Sequence, residues 1–442
     1  MRTPPGNPVS SPIDYDSLVL RDRIHSSIYT NAEIFEQELE RIFYRGWVYV
    51  GHESEIPNAG DFQARLIGRQ PVLYVRGEDG DVRVLMNRCT HRAAIVCPYE
   101  SGNAKRFTCA YHGWVFRNTG ALFGVPHQER YDESFHKQDF GLRPAPRTAS
   151  YRGLTFASLS ADGPSLDDHL GPLAKAEIDI AFDLSPQGQI DVSCGIHKYG
   201  YAGNWKLQVE NATDGYHLGY LHRSYINIAA ERSGRNATQA YSGESSFRVK
   251  SLGNGHVCWD QSSPTSASII LGASDGLTGP QREYTDAMVA AHGPDRTRQL
   301  LTRGGPHVLI FPNLVFIQSH IRMIRPVSVS QTEVFLYPYR LVGAPAAINT
   351  QRLGMHQSFY GPAGGGASDD LEVFERISAG IQATLDQWVL IRRGLGQEQI
   401  EPDGAVSGQI TDELNNRAIL QYWKRIMSNH STATAAAVEL AA

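Results

Sequence analysis

Two short pairs of cysteine and histidine, Cys89-Thr-His91 and Cys109-Ala-Tyr-His112, stand 17 residues apart in the chain. Each pair offers one thiolate and one imidazole. Two loops approaching from opposite sides can hold a bimetallic centre, with both thiolates on one iron and both imidazoles on the other. Replacing two thiolates by neutral imidazoles raises the potential of a 2Fe-2S cluster well above that of an all-cysteine one. Loop N–H groups that bond the sulfurs tune it further. The competing use is a zinc site, which usually leaves two or more residues between paired ligands; the single residue between Cys89 and His91 suits zinc less well. Cys97, in the intervening loop, reads as a small buried apolar side chain. Were it to compete for iron, it would displace Cys89.

A second concentration of ligand chemistry is Glu210-Asn-Ala-Thr-Asp214-Gly-Tyr-His217-Leu-Gly-Tyr-Leu-His222. His217 and His222 are five apart, an offset that leaves them more than a right angle apart on a straight helix. They converge only if the helix ends or distorts near Gly219. Two histidines and one carboxylate on one face of an iron leave the other face open for O2. The acid must come from elsewhere, and the candidate is Asp370 in Ser368-Asp-Asp-Leu-Glu-Val-Phe374. Acidic residues also favour helix N-termini through the dipole, which is the plainer use of Asp369 and Asp370. Asp214 shares a helical face with His217, can accept from its outer N–H, and so can fix its tautomer. His197, His307 and His320 read as core or pocket-lining residues.

The string Cys89-Thr-His-Arg92 with Cys109-Ala-Tyr-His-Gly-Trp114 resembles the Rieske domains of ring-hydroxylating oxygenases, although Ala93 stands where such proteins often carry glycine. Gly361-Pro-Ala-Gly followed by Asp369-Asp370 and Glu372 resembles the third-ligand segment of that family, with Asp370 on the ligand position. Ser26-Ser-Ile-Tyr29, Phe311-Pro-Asn-Leu314 and Thr411-Asp-Glu-Leu-Asn-Asn-Arg417 extend the likeness over nearly the whole chain. The chain is thus similar to the large (alpha) subunits of Rieske non-haem iron aromatic-ring-hydroxylating oxygenases, especially the benzoate, salicylate and terephthalate group. The resemblance implies a 2Fe-2S cluster on Cys89, His91, Cys109 and His112, and a mononuclear Fe(II) on His217, His222 and Asp370. It implies that Asp214 links His217 to His112 of a neighbouring subunit, and that Asn211 lies near the iron. It implies a ring of three alpha subunits, in many cases with small beta subunits. The reaction it implies is cis-dihydroxylation of an aromatic carboxylate. A monooxygenase that hydroxylates or demethylates is the alternative, and an electron-transfer Rieske protein a more distant one.

The elements that must position these residues can be read from periodicity. Residues 31–47 read as a helix capped by Asn31, with Ile34, Phe35, Leu39, Ile42 and Phe43 on one side. From about residue 60 to residue 160, short apolar runs are split by Gly and Pro. Pro71-Val-Leu-Tyr-Val-Arg76 and Val82-Arg-Val-Leu-Met86 form an expected hairpin. Beyond residue 167 helical and strand patterns mix. Strands are expected at Val308-Leu-Ile-Phe311, Leu314-Val-Phe-Ile317 and Glu333-Val-Phe-Leu-Tyr337. A helix is expected over 369–383, with Asp369 and Glu372 at capping-box spacing and Leu371, Phe374, Ile377 and Ile381 inward. Another is expected over 411–427, with Leu414, Ala418, Tyr422 and Ile426 on its apolar stripe. Residues 361–367 read as a flexible break.

The parse is α+β: an all-β Rieske domain at 45–165 is inserted in a larger catalytic domain made of 1–44 and 166–442, whose antiparallel sheet is flanked by helices. Apolar candidates for the substrate pocket are Val209, Leu218, Leu221, Phe311, Leu314, Phe316, Phe359 and Trp388. A carboxylate calls for a bidentate arginine, for which Arg322, Arg325, Arg392 and Arg393 are candidates.

Composition narrows the partners. Over 442 residues, 41 Lys and Arg stand against 46 Asp and Glu, without a basic run that would suit nucleic acid. No apolar stretch reaches the length of a membrane helix. Five cysteines and no apolar leader suit a reducing cytoplasm rather than a disulfide framework. Residues 1–12 read as a flexible lead-in and 431–442 as a frayed tail. The chain has no Gly-x-Gly-x-x-Gly fingerprint before a helix, so electrons from NAD(P)H are expected to arrive through a separate reductase, with or without a ferredoxin.

Overall fold

Asn31 opens a helix as expected. Its side-chain oxygen accepts from the N–H groups of Glu33 and Ile34 and caps Ala32–Glu38. The helix does not run on regularly to residue 47: Leu39–Tyr44 is a π-helical turn. That wider turn still buries Leu39, Ile42 and Phe43 beside Ile34 and Phe35, in one core with Trp205 and Trp423. The computed structural model describes residues 13–233, 245–262, 279–303 and 305–429. The lead-in expected at 1–12 and the tail at 431–442 lie outside them.

The chain then enters a β-rich unit through Val48–His52 and leaves it through Leu154–Ser158, and these two strands pair antiparallel. Entry and exit side by side explain how a self-contained unit can sit between two parts of a larger domain. Inside it, Val82–Met86, Gln70–Arg76, Asp61–Ile67 and Ser101–Asn103 form a four-stranded sheet in that spatial order. Its first two members are the expected hairpin, with Val72 opposite Met86 and Arg76 opposite Val82. A second sheet of three strands, Arg106–Thr108, Val115–Arg117 and Leu122–Gly124, packs Phe107, Trp114 and Phe116 onto Phe62, Leu73 and Val75.

The rest of the chain builds a nine-stranded antiparallel sheet. Its middle is Gln331–Pro338, His320–Ser328, Leu314–Ile317 and His307–Ile310, joined in sequence by antiparallel pairing. Side chains on a strand alternate between faces. Leu309, Val315, Ile317, Ile324, Val334 and Leu336 turn toward the core of Trp205 and Val209. Val308, Ile310, Leu314, Phe316, Ile321 and Met323 turn the other way, against the Leu166–Asp183 helix and Tyr284. Helices thus cover both faces of the sheet. Leu314 and Phe316, expected in the pocket, belong to the second layer, on the far side of the sheet from Trp205 and Val209.

The helix expected over 369–383 spans Ala367–Gly380, and no capping box forms at its start. Glu372 pairs with Arg376 instead, and Ile377, expected inward, is exposed. The stretch before it is an ordered turn rather than a loose break: Gly364, Gly365 and Gly366 donate to the carbonyls of Gly361, Ser358 and Phe359. A Cβ on Gly366 would come within 2.2 Å of the Phe359 ring, so this approach requires glycine. The last helix, Leu414–Met427, starts three residues later than expected. No helix among the described residues is long and apolar enough to cross a membrane.

Candidate metal centre

The two Cys/His loops adopt matching backbone turns. Cys89 N–H donates to Ala94 carbonyl and Ala93 N–H to Cys89 carbonyl; Cys109 N–H donates to Trp114 carbonyl and Gly113 N–H to Cys109 carbonyl. Ala93 is therefore the counterpart of Gly113, and both hold positive φ, 64° and 69°. A non-glycine residue is strained there by roughly 1–2 kcal/mol. Ala93→Gly is expected to stabilise this loop by about 1 kcal/mol after the entropic cost of glycine. The check is the temperature at which the cluster's visible absorbance is lost; a midpoint unchanged or lowered in the variant refutes the strain.

Both cysteines are buried, and the nearby Cys109 thiol adds to the burial that raises the Cys89 pKa. A bound metal would supply the positive charge that such thiolates need. The histidines lie farther out, their rings 4.7 Å apart. His91 stacks flat on Trp114 at 4.9 Å, and its Nδ1 is buried without a hydrogen-bond partner among the described residues. That orphaned nitrogen fits a metal ligand. Burial, reinforced by His112 and Arg92, lowers the His91 pKa and keeps the ring in the neutral form that ligates. Cys97 is set apart: its sulfur faces Tyr99 carbonyl at 3.9 Å, and Asn87 clamps its backbone from both sides. It acts as core.

The second site is built on a broken helix. Trp205–Asn211 ends at Ala212, His217 caps the short turn Leu218–Leu221, and His222 leaves helical geometry at φ −93°, ψ 19° before Arg223–Ser233 begins. The break that brings the histidines together is thus at His222, not at Gly219. Gly215 is the glycine the bend needs, since a Cβ there would meet Ile410 carbonyl at 2.4 Å. The bend is anchored to the sheet: Trp259 donates to Thr213 carbonyl at 2.7 Å, and His307 lies 2.5 Å from Ala212 carbonyl. Tyr29 hydroxyl and Asn415 amide hold Glu210 from the opposite side.

His217, His222 and Asp370 each offer one ligand atom within 4.8 Å of the others. Asp370 Oδ1 is 3.3 Å from His222 Nε2 and 3.7 Å from His217 Nε2. Two neutral imidazoles and one carboxylate are a donor set that suits iron(II) with open positions. Burial pushes the Asp370 carboxyl up, but contact with His222 and the charges of His217 and Arg322 more than offset it, so its pKa ends below the usual range. Asn211 amide donates to Asp370 at 3.1 Å and lies 3.4 Å from His217 Nε2, touching two of the three groups. Asp214 Oδ2 is 3.3 Å from His217 Nδ1, too far off axis for a straight hydrogen bond. Burial lowers the His217 pKa, yet Asp214 brings it above the ordinary value.

Asp369, read from sequence only as a helix-start acid, lies 3.4 Å from His222 Nδ1 and orients that ring. Neighbouring helix residues point about 100° apart, so one of two adjacent acids can face the metal while the other reaches the outer nitrogen of a ligand. Phe359 sits edge-on to His222 at 5.0 Å, and Leu218 is half-buried beside the ligands. Val209 is fully buried core, and Phe311 packs between Trp205 and Tyr422. Trp388 lies on a strand paired to Arg23–His25, away from the centre. Arg393 covers Tyr216 and bonds Thr411, Arg325 pairs with Glu333, and Arg392 lies 3.8 Å from Asp22. Of the four candidate arginines, Arg322 alone is buried on the side of the sheet that faces the ligands.

Over residues 46–146 the sequence matches the Rieske 2Fe-2S domain family, and over residues 186–429 the ring hydroxylating alpha subunit catalytic domain family. It is 32% identical to the 2-halobenzoate 1,2-dioxygenase large subunit of Burkholderia cepacia, across 87% of this chain and 83% of that one. It is 34% identical to the anthranilate 1,2-dioxygenase large subunit of Acinetobacter baylyi, across 85% and 81%. The structure superposes on naphthalene 1,2-dioxygenase with indole bound at a TM-score of 0.81 and 25% identity, covering 97% of this chain and 98% of that one.

Proposed function

Because the chain belongs to the ring-hydroxylating oxygenase alpha subunits, we propose that it is the terminal oxygenase that cis-dihydroxylates an aromatic carboxylate with O2. The observation that carries this reading is the convergence of His217, His222 and Asp370 in a chain that also presents the Cys89, His91, Cys109 and His112 loops. When bound, the cluster passes electrons singly and the mononuclear iron activates O2. The protein's part is to hold both: the buried Cys89 and Cys109 and the more exposed His91 and His112 would hold the cluster. His217, His222 and Asp370 hold the single iron, Asp369 and Asn211 orient them, and electrons come from NAD(P)H through a separate cytoplasmic reductase, with or without a ferredoxin. The test is turnover of benzoate-type acids with a surrogate reductase under labelled O2. Both product oxygens labelled, in a cis-diol, supports dioxygenation; one labelled oxygen makes the enzyme a monooxygenase.

Two exposed surfaces support assembly as a ring of three, with or without small beta subunits. His112 is exposed beneath Tyr111, whose ring lies 3.7 Å from it. Asp214 is partly exposed, and the nearby Tyr216 and Tyr220 are exposed too. With the first surface of one subunit seated on the second of the next, Asp214 stands between His217 and a neighbour's cluster histidine. Asp214→Ala is then expected to lower turnover roughly 10–100-fold, as loss of an orienting partner does, without changing iron content or the cluster's visible spectrum. Full turnover in that variant excludes the relay through Asp214, and sedimentation as a monomer excludes the ring.

A further inference from the structure

Arg322 is a buried cation that feels the charge of Asp370 but has no counter-charge in contact. Its strand places it opposite Val315 and Leu336 on the face turned to the metal-binding helices, and it is 2% exposed. Its Nε is buried and unpartnered, and among the described residues no carboxylate lies within 4.0 Å of its guanidinium, which faces the Tyr360 ring at 5.6 Å. Two residues back on the same face, His320 is fully buried with both ring nitrogens unpartnered. His356, reaching in from the Ala346–Tyr360 helix, is buried with Nδ1 unpartnered, its ring 4.8 Å from that of His320. Buried polar groups are nearly always hydrogen-bonded, and an uncompensated buried charge is strongly destabilising. Four such nitrogens, one of Arg322 itself and three of the histidines beside it, therefore mark a place for an anion.

The place adjoins the metal ligands. Rings lead from one to the other: His222 to Phe359 at 5.0 Å, Phe359 to Tyr360 at 4.5 Å, and Tyr360 to His320 at 4.5 Å. Resting on the aromatic-acid reading above, we propose that Arg322, with His320 and His356, is the subsite that grips the substrate carboxylate and so sets the ring against His217, His222 and Asp370. Arginine presents a planar fork that matches a carboxylate bidentately. Burial keeps His320 and His356 neutral, with the His356 pKa down at about 4. Each therefore adds an N–H donor but no charge, and one fixed positive charge selects a monocarboxylate over a dicarboxylate.

The test is calorimetric titration of the iron-loaded wild-type protein and of Arg322→Met, with benzoate and with toluene as probes. The subsite predicts that the variant loses about 10–100-fold in benzoate affinity, the worth of a charged hydrogen-bonded pair, and binds toluene as well as the wild type or better. The cluster's visible spectrum reports folding. Should Arg322→Met not fold, Arg322→Lys keeps a cation without the fork, and a several-fold loss for benzoate alone is expected. Unchanged benzoate affinity in either folded variant overturns the subsite while leaving the aromatic-acid reading in place. Equal losses for both probes also overturn it, as pocket collapse. A wild-type protein that binds toluene but not benzoate overturns both.

Discussion

Replacing Asp370 with alanine is expected to release the mononuclear iron and end turnover while the cluster's visible absorbance stays intact. The reason is charge as much as geometry. Asp370 is the one carboxylate of the triad, its Oδ1 3.3 Å from His222 and 3.7 Å from His217. Without it, a dication would face two neutral imidazoles in a buried site, with the positive Arg322 acting on the same space. Loss of an orienting partner alone typically costs 10–100-fold in metal affinity or activity, so loss of a ligand is expected to cost at least about 100-fold. Iron analysis should show the two irons of the cluster retained and the third lost. Three irons per chain and more than a few per cent of wild-type turnover in Asp370→Ala would mean that another acid, most simply Asp369, holds the metal.

Glu38→Ala is the substitution away from the ligands expected to cost most. Glu38 is fully buried and joins three segments at one carboxylate. It accepts from Lys206 Nζ at 2.6 Å, Trp423 Nε1 at 2.7 Å and Trp205 Nε1 at 2.8 Å. Trp205 and Lys206 open the helix that leads to Asn211 and the histidines, so this carboxylate fastens that segment to the Ala32–Glu38 helix and to the last helix. Alanine leaves Lys206, 1% exposed, as an unpaired buried cation, and removing one partner of a buried pair costs about 3–5 kcal/mol. Chemical denaturation followed by tryptophan fluorescence should show it, and Glu38→Gln, which keeps one acceptor oxygen for Lys206 and Trp423 while losing the one that Trp205 uses, should lose less. A loss below about 1 kcal/mol would show that the pair is not what holds these helices together.

The ligand types were open to reading because metal chemistry restricts residue choice and because several ligands are close in sequence. Cys89 with His91, Cys109 with His112, and His217 with His222 each fall within one turn or loop. The hairpin of Gln70–Arg76 with Val82–Met86, the Asn31 cap and the mixed character of the catalytic region were legible for the same reason, as local patterns. Long-range partners were not. As helix-start acids Asp369 and Asp370 look alike; the family resemblance singled out Asp370, but only the approach of a helix 159 residues from Asn211 brings Asp369 to the outer nitrogen of His222. Leu314 and Phe316 show the same limit on a strand. Their alternation is plain, but which face meets the metal-binding helices depends on how the whole sheet is covered.

By itself, then, the chain's order of residues determined what could bind: two thiols and two imidazoles at loop spacing, two more imidazoles beside an acid, and a β-rich insert to carry the first set. Tertiary structure alone decided that Asp369 backs His222, where the helix breaks to let His217 and His222 meet, and which arginine is left buried facing them. The division follows from range. Ligand chemistry and turn geometry act over a few neighbouring residues, whereas burial, charge compensation and the choice of sheet face are properties of segments that meet only after the chain has folded.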